Sequence, residues 1–213
     1  MIKFQKHYVI DIETMKNPEM VQFLPEPKAD PRLKDPLKIE VDLQKKKQAQ
    51  IDKMALNPLF STIACIGIVG TDGTRKVLFG NEQEMIKELL SIVNGSHVIT
   101  FNGKGFDFDF IYKRGAITGA VPLWKKKQYT DRYKAVMHTD LMLEWDAFNF
   151  TSLNTLSRVI LGKEKVDFDV ALIPELVKTE EGKKQLKEYC LKDCELTMKL
   201  AERLGYIQED LDV

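Results

Sequence analysis

The sequence predicts an α/β fold: a mixed β-sheet of about five strands, the first three antiparallel, flanked by helices. Three observations predict it. Apolar periodicity alternates between strand-like and helix-like stretches in the order β-β-β-α-β-α-β-α. A "TDGT" turn joins the second and third strands into a hairpin ahead of the first sheet-covering helix. A hydrophobic content of 44% over 213 residues is enough to build the core of one substantial domain.

Each element has its own signature. "HYVIDIET" (7–14) is β-branched and apolar on both faces, the mark of a buried strand. From about 16 to 57 the texture changes, with five prolines and then the lysine-rich "LQKKKQAQIDKMAL"; this reads as an inserted loop and a mostly exposed helix. "TIACIGIVG" (62–70) and "RKVLFG" (75–80) are the hairpin strands. "NEQEMIKELLSIV" (81–93) is an amphipathic helix with Asn81 as N-cap. "SHVITFN" (96–102) is a fourth strand, followed by a glycine-containing turn and the helix "FDFDFIYKRGAI". After the basic, irregular stretch 124–134 comes a fifth strand near "VMHTDLM". The remainder is helical and ends in a long helix over about 180–205. The whole of 1–213 is expected to form a single domain carrying the 16–57 insertion.

Composition excludes some classes. Thirty-two basic residues balance thirty-two acidic ones, so any nucleic-acid affinity must come from local charge. Cys65, Cys190 and Cys194 have neither the number nor the spacing of a disulfide framework or a zinc site. No apolar run reaches the ~20 residues of a bilayer span, and the first residues lead straight into a strand, so the expected location is cytoplasmic, away from membranes.

The chemistry lies in misplaced carboxylates. On the last helix, Leu186, Tyr189, Cys190, Leu196, Thr197, Leu200, Ala201 and Leu204 fall on one stripe at ~100° per residue, and Asp193 sits in its middle. An ionised carboxylate there needs a counter-charge, either a basic side chain or a metal. Asp11 and Glu13, two apart on a strand, emerge on one face; they either bridge a cation or reach solvent at the strand end. In "FNGKGFDFDF", Asp107 falls inside an apolar arc, whereas Asp109 is placed for an i,i+4 pair with Lys113. Four carboxylates without a His or Cys cluster select hard divalent cations, Mg²⁺ or Mn²⁺. Two such ions clamp the attacking and leaving oxygens of a phosphodiester. Tyr189, one turn before Asp193, is either a core aromatic or a group that orients the attacking water.

The set "DIET", "FNGKGFD" and "YCLKD" resembles the three motifs of the DEDD (DnaQ-like) 3′–5′ exonuclease superfamily, in its tyrosine subclass because Glu188 stands where the alternative histidine would be. More narrowly, the chain is similar to stand-alone proteins related to the exonuclease domain of B-family DNA polymerases. That resemblance implies an RNase H-like fold and hydrolysis of phosphodiester bonds at the 3′ ends of single-stranded or frayed DNA. It also implies two Mg²⁺ or Mn²⁺ ions on Asp11, Glu13, Asp107 and Asp193, with Tyr189 orienting the water. Asn102 and Phe106 would hold the terminal nucleotide, and Thr14 and Met15 would flank its sugar and base. The family often has Gly after "DxET", where Met15 and Lys16 stand here. Short RNA is the alternative substrate, and a catalytically silent nucleic-acid-binding module the alternative role. Lysines of the insertion and at 125–127 are either a phosphate-tracking surface or a solvated face; Trp124, Tyr129 and Tyr133 are candidate base-stacking residues.

Overall fold

The computed structural model describes residues 6–131 and 137–207. In chain order the elements are β1 His7–Lys16, α1 Pro36–Asp52, β2 Ser61–Gly70, β3 Arg75–Leu78, α2 Glu82–Ile92, β4 His97–Thr100 and α3 Asp107–Thr118. There follow α4 Lys127–Thr130, β5 His138–Asp140, α5 Leu141–Trp145, α6 Leu153–Leu161, α7 Ile173–Leu176 and α8 Glu180–Arg203. They divide into two compact units, Met1–Glu13 with Ile63–Val213, and Thr14–Thr62.

The larger unit is built on a five-stranded sheet of order β3-β2-β1-β4-β5. β1 pairs β4 and β4 pairs β5 in parallel, while β2 and β3 form the antiparallel hairpin. The sheet is therefore mixed, as the hairpin signal and the later helical crossovers require.

Side-chain alternation along β1 sorts two cores. Tyr8, Ile10 and Ile12 join the cluster that holds Met85, Ile86 and Leu89 of α2 and Phe108 and Ile111 of α3. Val9 faces the other way, into a cluster with Leu156 of α6 and Cys194, Met198 and Leu200 of α8. Asp11 and Glu13 continue the Val9 face because side chains on a strand repeat every two residues. The two acids are thus delivered to α8.

α8 can lie close to the sheet because β2 has no side chain where the helix crosses it. A Cβ built on Gly67 would meet Cys190 Sγ at 2.6 Å and Cys194 Sγ at 2.9 Å. The three cysteines are free and buried, small apolar fillers in this seam.

The smaller unit begins with the last residues of β1, followed by a 3₁₀ turn over Pro18–Phe23 capped by Asn17. α1 starts at an Asp35 N-cap with Pro36 at its first position and buries none of its residues. Lys46 Nζ holds this unit together locally, pairing with Asp42 at 2.8 Å and donating to the Lys28 carbonyl at 2.8 Å. Among the described residues, no helix is long and apolar enough to cross a membrane.

Candidate active site

Asp11 and Glu13 on β1 and Asp193 on α8 each offer a carboxylate oxygen, and these atoms all lie within 4.8 Å of one another. Glu13 is 8% exposed and Asp193 2%. Asp107 is the buried first residue of α3, where the helix N-terminus favours negative charge. It is tied to β1 by its Oδ1, which accepts the Ile12 N–H at 3.1 Å, between the two strand acids. Asp107 therefore joins the same strand segment from the opposite layer, although it is outside the tight triad. Asp109 faces elsewhere, paired with Lys113 at 2.6 Å and also with Lys126.

The electrostatics follow from this crowding. Burial first, and then the neighbouring negative groups, push the Asp11 carboxyl well above the usual carboxylate range. The same causes raise Glu13 to about 8, against a partial pull downward from Lys165. Burial raises Asp107 to about 7 despite the backbone N–H groups it accepts. Asp193 is raised by burial too, opposed by Lys165. Burial and mutual repulsion thus push all four acids toward their protonated forms unless positive charge is added.

One cation reaches the cluster from a side chain. Lys165 Nζ lies 2.7 Å from Asp193 Oδ2 and 5.1 Å from the centre of the Tyr189 ring. Phe168 stacks on that ring, centroids 4.1 Å apart. Lys165 and Phe168 belong to the connector between α6 and α7, which has no periodicity to mark them; an i,i+3 Lys and Phe there is the signal that was available. A basic partner, one of the two counter-charges open to Asp193, therefore exists, but it is insufficient. Lys165 serves Asp193 Oδ2, while among the described residues the buried Asp193 Oδ1 has no hydrogen-bond partner. This donor set of oxygens, one of them orphaned and buried, fits a hard divalent cation.

The remaining expected residues lie on the loop after β4 and at the end of β1. Asn102 follows β4 in a left-handed conformation, φ 69°. Its backbone N–H donates to Asp140 Oδ1 at 2.7 Å, and Lys104 N–H donates to Asp140 Oδ2 at 2.9 Å. Asp140 is fully buried, so this strand-end carboxylate, which sequence reasoning missed, fixes the loop leading to Asp107. Phe106 caps α3 and packs against Phe110, ring centroids 5.4 Å apart. Thr14 and Met15 continue β1 beyond Glu13; the Thr14 hydroxyl donates to the Ala55 carbonyl at 2.7 Å.

The aromatic expectation needs correction. Tyr129 is not on the surface: it stacks on Phe108, centroids 5.0 Å apart, and belongs to the core. Its ring is apolar enough to fill the space behind α3, which interleaving with lysines in sequence cannot reveal. Trp124 is exposed with Lys125 over its ring, and Tyr133 lies outside the described residues.

A mixed sheet of this order with its acids on the central strand makes the chain an α/β protein of the RNase H-like class. Within that class it belongs to the family described as predicted 3′–5′ exonucleases related to the exonuclease domain of PolB, which matches residues 59–213. Asp107, Tyr189 and Asp193 are inside that span, and Asp11 and Glu13 precede it. DNA polymerase 1 of Aeropyrum pernix is 29% identical over 145 residues, covering 61% of this chain and 14% of the polymerase. The DNA polymerase of Orgyia pseudotsugata multicapsid polyhedrosis virus is 30% identical over 163 residues, 63% of this chain and 16% of that one. The Thermococcus litoralis DNA polymerase is 26% identical over 150 residues, 62% of this chain and 9% of the polymerase. The chain thus spans less than a fifth of the length of these relatives. In structure, the family B DNA polymerase of Pyrobaculum calidifontis matches 95% of this chain and 25% of its own, with a TM-score of 0.62 at 16% identity.

Proposed function

We propose that the protein is a 3′–5′ exonuclease of the tyrosine (DEDDy) subclass that hydrolyses phosphodiester bonds at the 3′ ends of single-stranded or frayed DNA, releasing nucleoside 5′-monophosphates. The observation that carries this reading is the uncompensated cluster: Asp11, Glu13 and Asp193 within 4.8 Å, Asp107 tied to the same strand, and one lysine among them. These four carboxylates would hold two Mg²⁺ or Mn²⁺ ions. When bound, such ions neutralise the acids and stabilise the attacking and leaving oxygens of an in-line displacement.

The chain's own groups have separate tasks. Tyr189, its hydroxyl raised above the ordinary phenol range by burial and then by the charge of Glu13, keeps its proton at neutral pH. It orients the water and does not deprotonate it. Phe168 stacks on its ring and Lys165 lies over it, which restrains where the hydroxyl points. The Lys165 ammonium adds a fixed positive charge beside Asp193. Asn102 and Phe106 seat the terminal nucleotide, with Thr14 and Met15 beside its sugar and base.

The test is digestion of 5′-labelled and 3′-labelled single strands of DNA and of RNA, with Mg²⁺ or Mn²⁺ and then with EDTA. A ladder of shortened products from the 5′-labelled DNA, abolished by EDTA and slowed by a 3′-phosphate, is expected. Cleavage of circular single strands as readily as linear ones would make the protein an endonuclease and end this reading. A ladder from RNA alone would transfer the same chemistry to the other polymer.

A further inference from the structure

A second concave surface opens beside the loop that carries Asp107. It has a volume of about 380 Å³, and its lining includes Asn102, Lys104, Met142, Phe148, Asn149 and Phe150. Phe148 is 95% exposed and Phe150 76%. Two nearly bare phenyl rings on one short segment are costly to leave in water without a use, and nothing in the reaction described so far employs them.

We infer that this groove is a nucleobase-stacking subsite for the unpaired strand just upstream of the 3′ terminus. The inference rests on the exonuclease reading and adds to it the residues that hold the strand upstream of the terminus, Phe148 and Phe150 first among them. Three observations support it. The groove is continuous with the proposed site, because Asn102 lines it and the same loop runs on to Phe106 and Asp107. Its chemistry suits a nucleotide: flat apolar faces for bases, the Asn102 amide for their edges, and Lys104, which forms no ion pair among the described residues, for a phosphate. The one carboxylate in the lining, Asp146, is occupied by the Phe148 and Asn149 backbone N–H groups and the Asn149 side-chain amide. Those bonds also hold Phe148 outward.

The groove wall is rigid before any strand arrives. Asp140 Oδ1 accepts Asn102 N–H and Met142 N–H, and its Oδ2 accepts Lys104 N–H. One buried carboxylate thereby fixes three lining residues, which lowers the ordering cost of binding. A volume near 380 Å³ suits one or two planar rings and is short for a helix or strand of a protein partner.

The test separates this subsite from catalysis. An eight-nucleotide oligo-dT carrying 2-aminopurine at successive positions is titrated with the protein in EDTA, where no cleavage occurs. Quenching is expected within the last few nucleotides before the 3′ end. Phe148→Ala/Phe150→Ala should weaken binding about tenfold, the scale of one lost base–aromatic stack, and Phe148→Tyr/Phe150→Tyr should restore it. Both positions are exposed, so the fold is not at risk. With Mn²⁺ the alanine pair should leave dinucleotide hydrolysis unchanged while lowering kcat/KM on longer strands by a similar factor. If affinity and quenching are the same in wild type and the alanine pair, the inference falls, and any ladder of products still upholds the exonuclease. If the alanine pair weakens oligonucleotide binding but no metal elicits hydrolysis, the subsite stands and the exonuclease reading falls.

Discussion

Asp193 shows what can be read from single residues and what cannot. A carboxylate inside an apolar helical stripe is visible in sequence, because the stripe defines the environment before any neighbour is known. Its partner was invisible: Lys165 comes from an irregular connector, where no period says which side chain turns inward. Phe148 and Phe150 escaped notice for the same reason, and Tyr129 misled because alternation with lysines carries no information about burial. Two substitutions follow at this scale. Tyr189→Phe keeps the ring's contacts with Phe168 and Lys165; single-turnover rates at saturating Mn²⁺ should fall on the order of 100-fold, with Mn²⁺ affinity retained. Equal rates would reduce Tyr189 to a core aromatic. Lys165→Met removes the one side-chain cation that pairs with Asp193 among the described residues. Breaking a fully buried pair costs ~3–5 kcal/mol, but the Lys165 side chain is 35% exposed, so about 1–3 kcal/mol is expected without metal. Mn²⁺ should narrow that loss in denaturant melts; an equal loss with and without Mn²⁺ would mean that Lys165 only packs.

Elements were more legible than contacts. The strand at 7–14 runs to Lys16, the hairpin lies where "TDGT" put it, and the helix over 180–205 ends at Arg203. These succeed because long periodic stretches commit their faces early, whereas ends depend on caps and neighbours. The 16–57 stretch was legible as a change of texture, and its helix lacks any buried residue. What no periodicity could show is how near two elements approach. α8 crosses β2 at Gly67, with the Cys190 and Cys194 sulfurs in the space a Cβ would fill. Gly67→Ala must push the helix outward or strain the strand, at about 1–3 kcal/mol for such overpacking. Because Asp193 rides on that helix while Asp11 and Glu13 ride on the sheet, the same change should weaken Mn²⁺ binding and turnover. Calorimetric titration of Mn²⁺ alongside urea melts would show both effects; a stability loss with unchanged Mn²⁺ affinity would refute the coupling.

At the scale of the whole molecule, the acidic centre links folding to pH and metal. Glu13 at about 8 and Asp107 at about 7 retain protons that the unfolded chain releases near ~4.3 and ~3.9. The folded state therefore binds more protons across that window, and metal-free stability falls as pH rises through it. The melting temperature in EDTA should drop between pH 5 and pH 8, and Mg²⁺ or Mn²⁺ should raise it more at pH 8 than at pH 5. Glu13→Gln should flatten the slope. A metal-free melting temperature that is level across this range, or a metal effect independent of pH, would contradict the assignment of these acids. The same centre has a temporal consequence. Cys190 Sγ touches Asp11 across 179 positions of chain, so the strand acids and Asp193 meet only after one of the longest loops in the protein has closed. A chain still emerging during synthesis carries β1 and α3 before it carries α8, so the acidic cluster stays incomplete until that helix has docked.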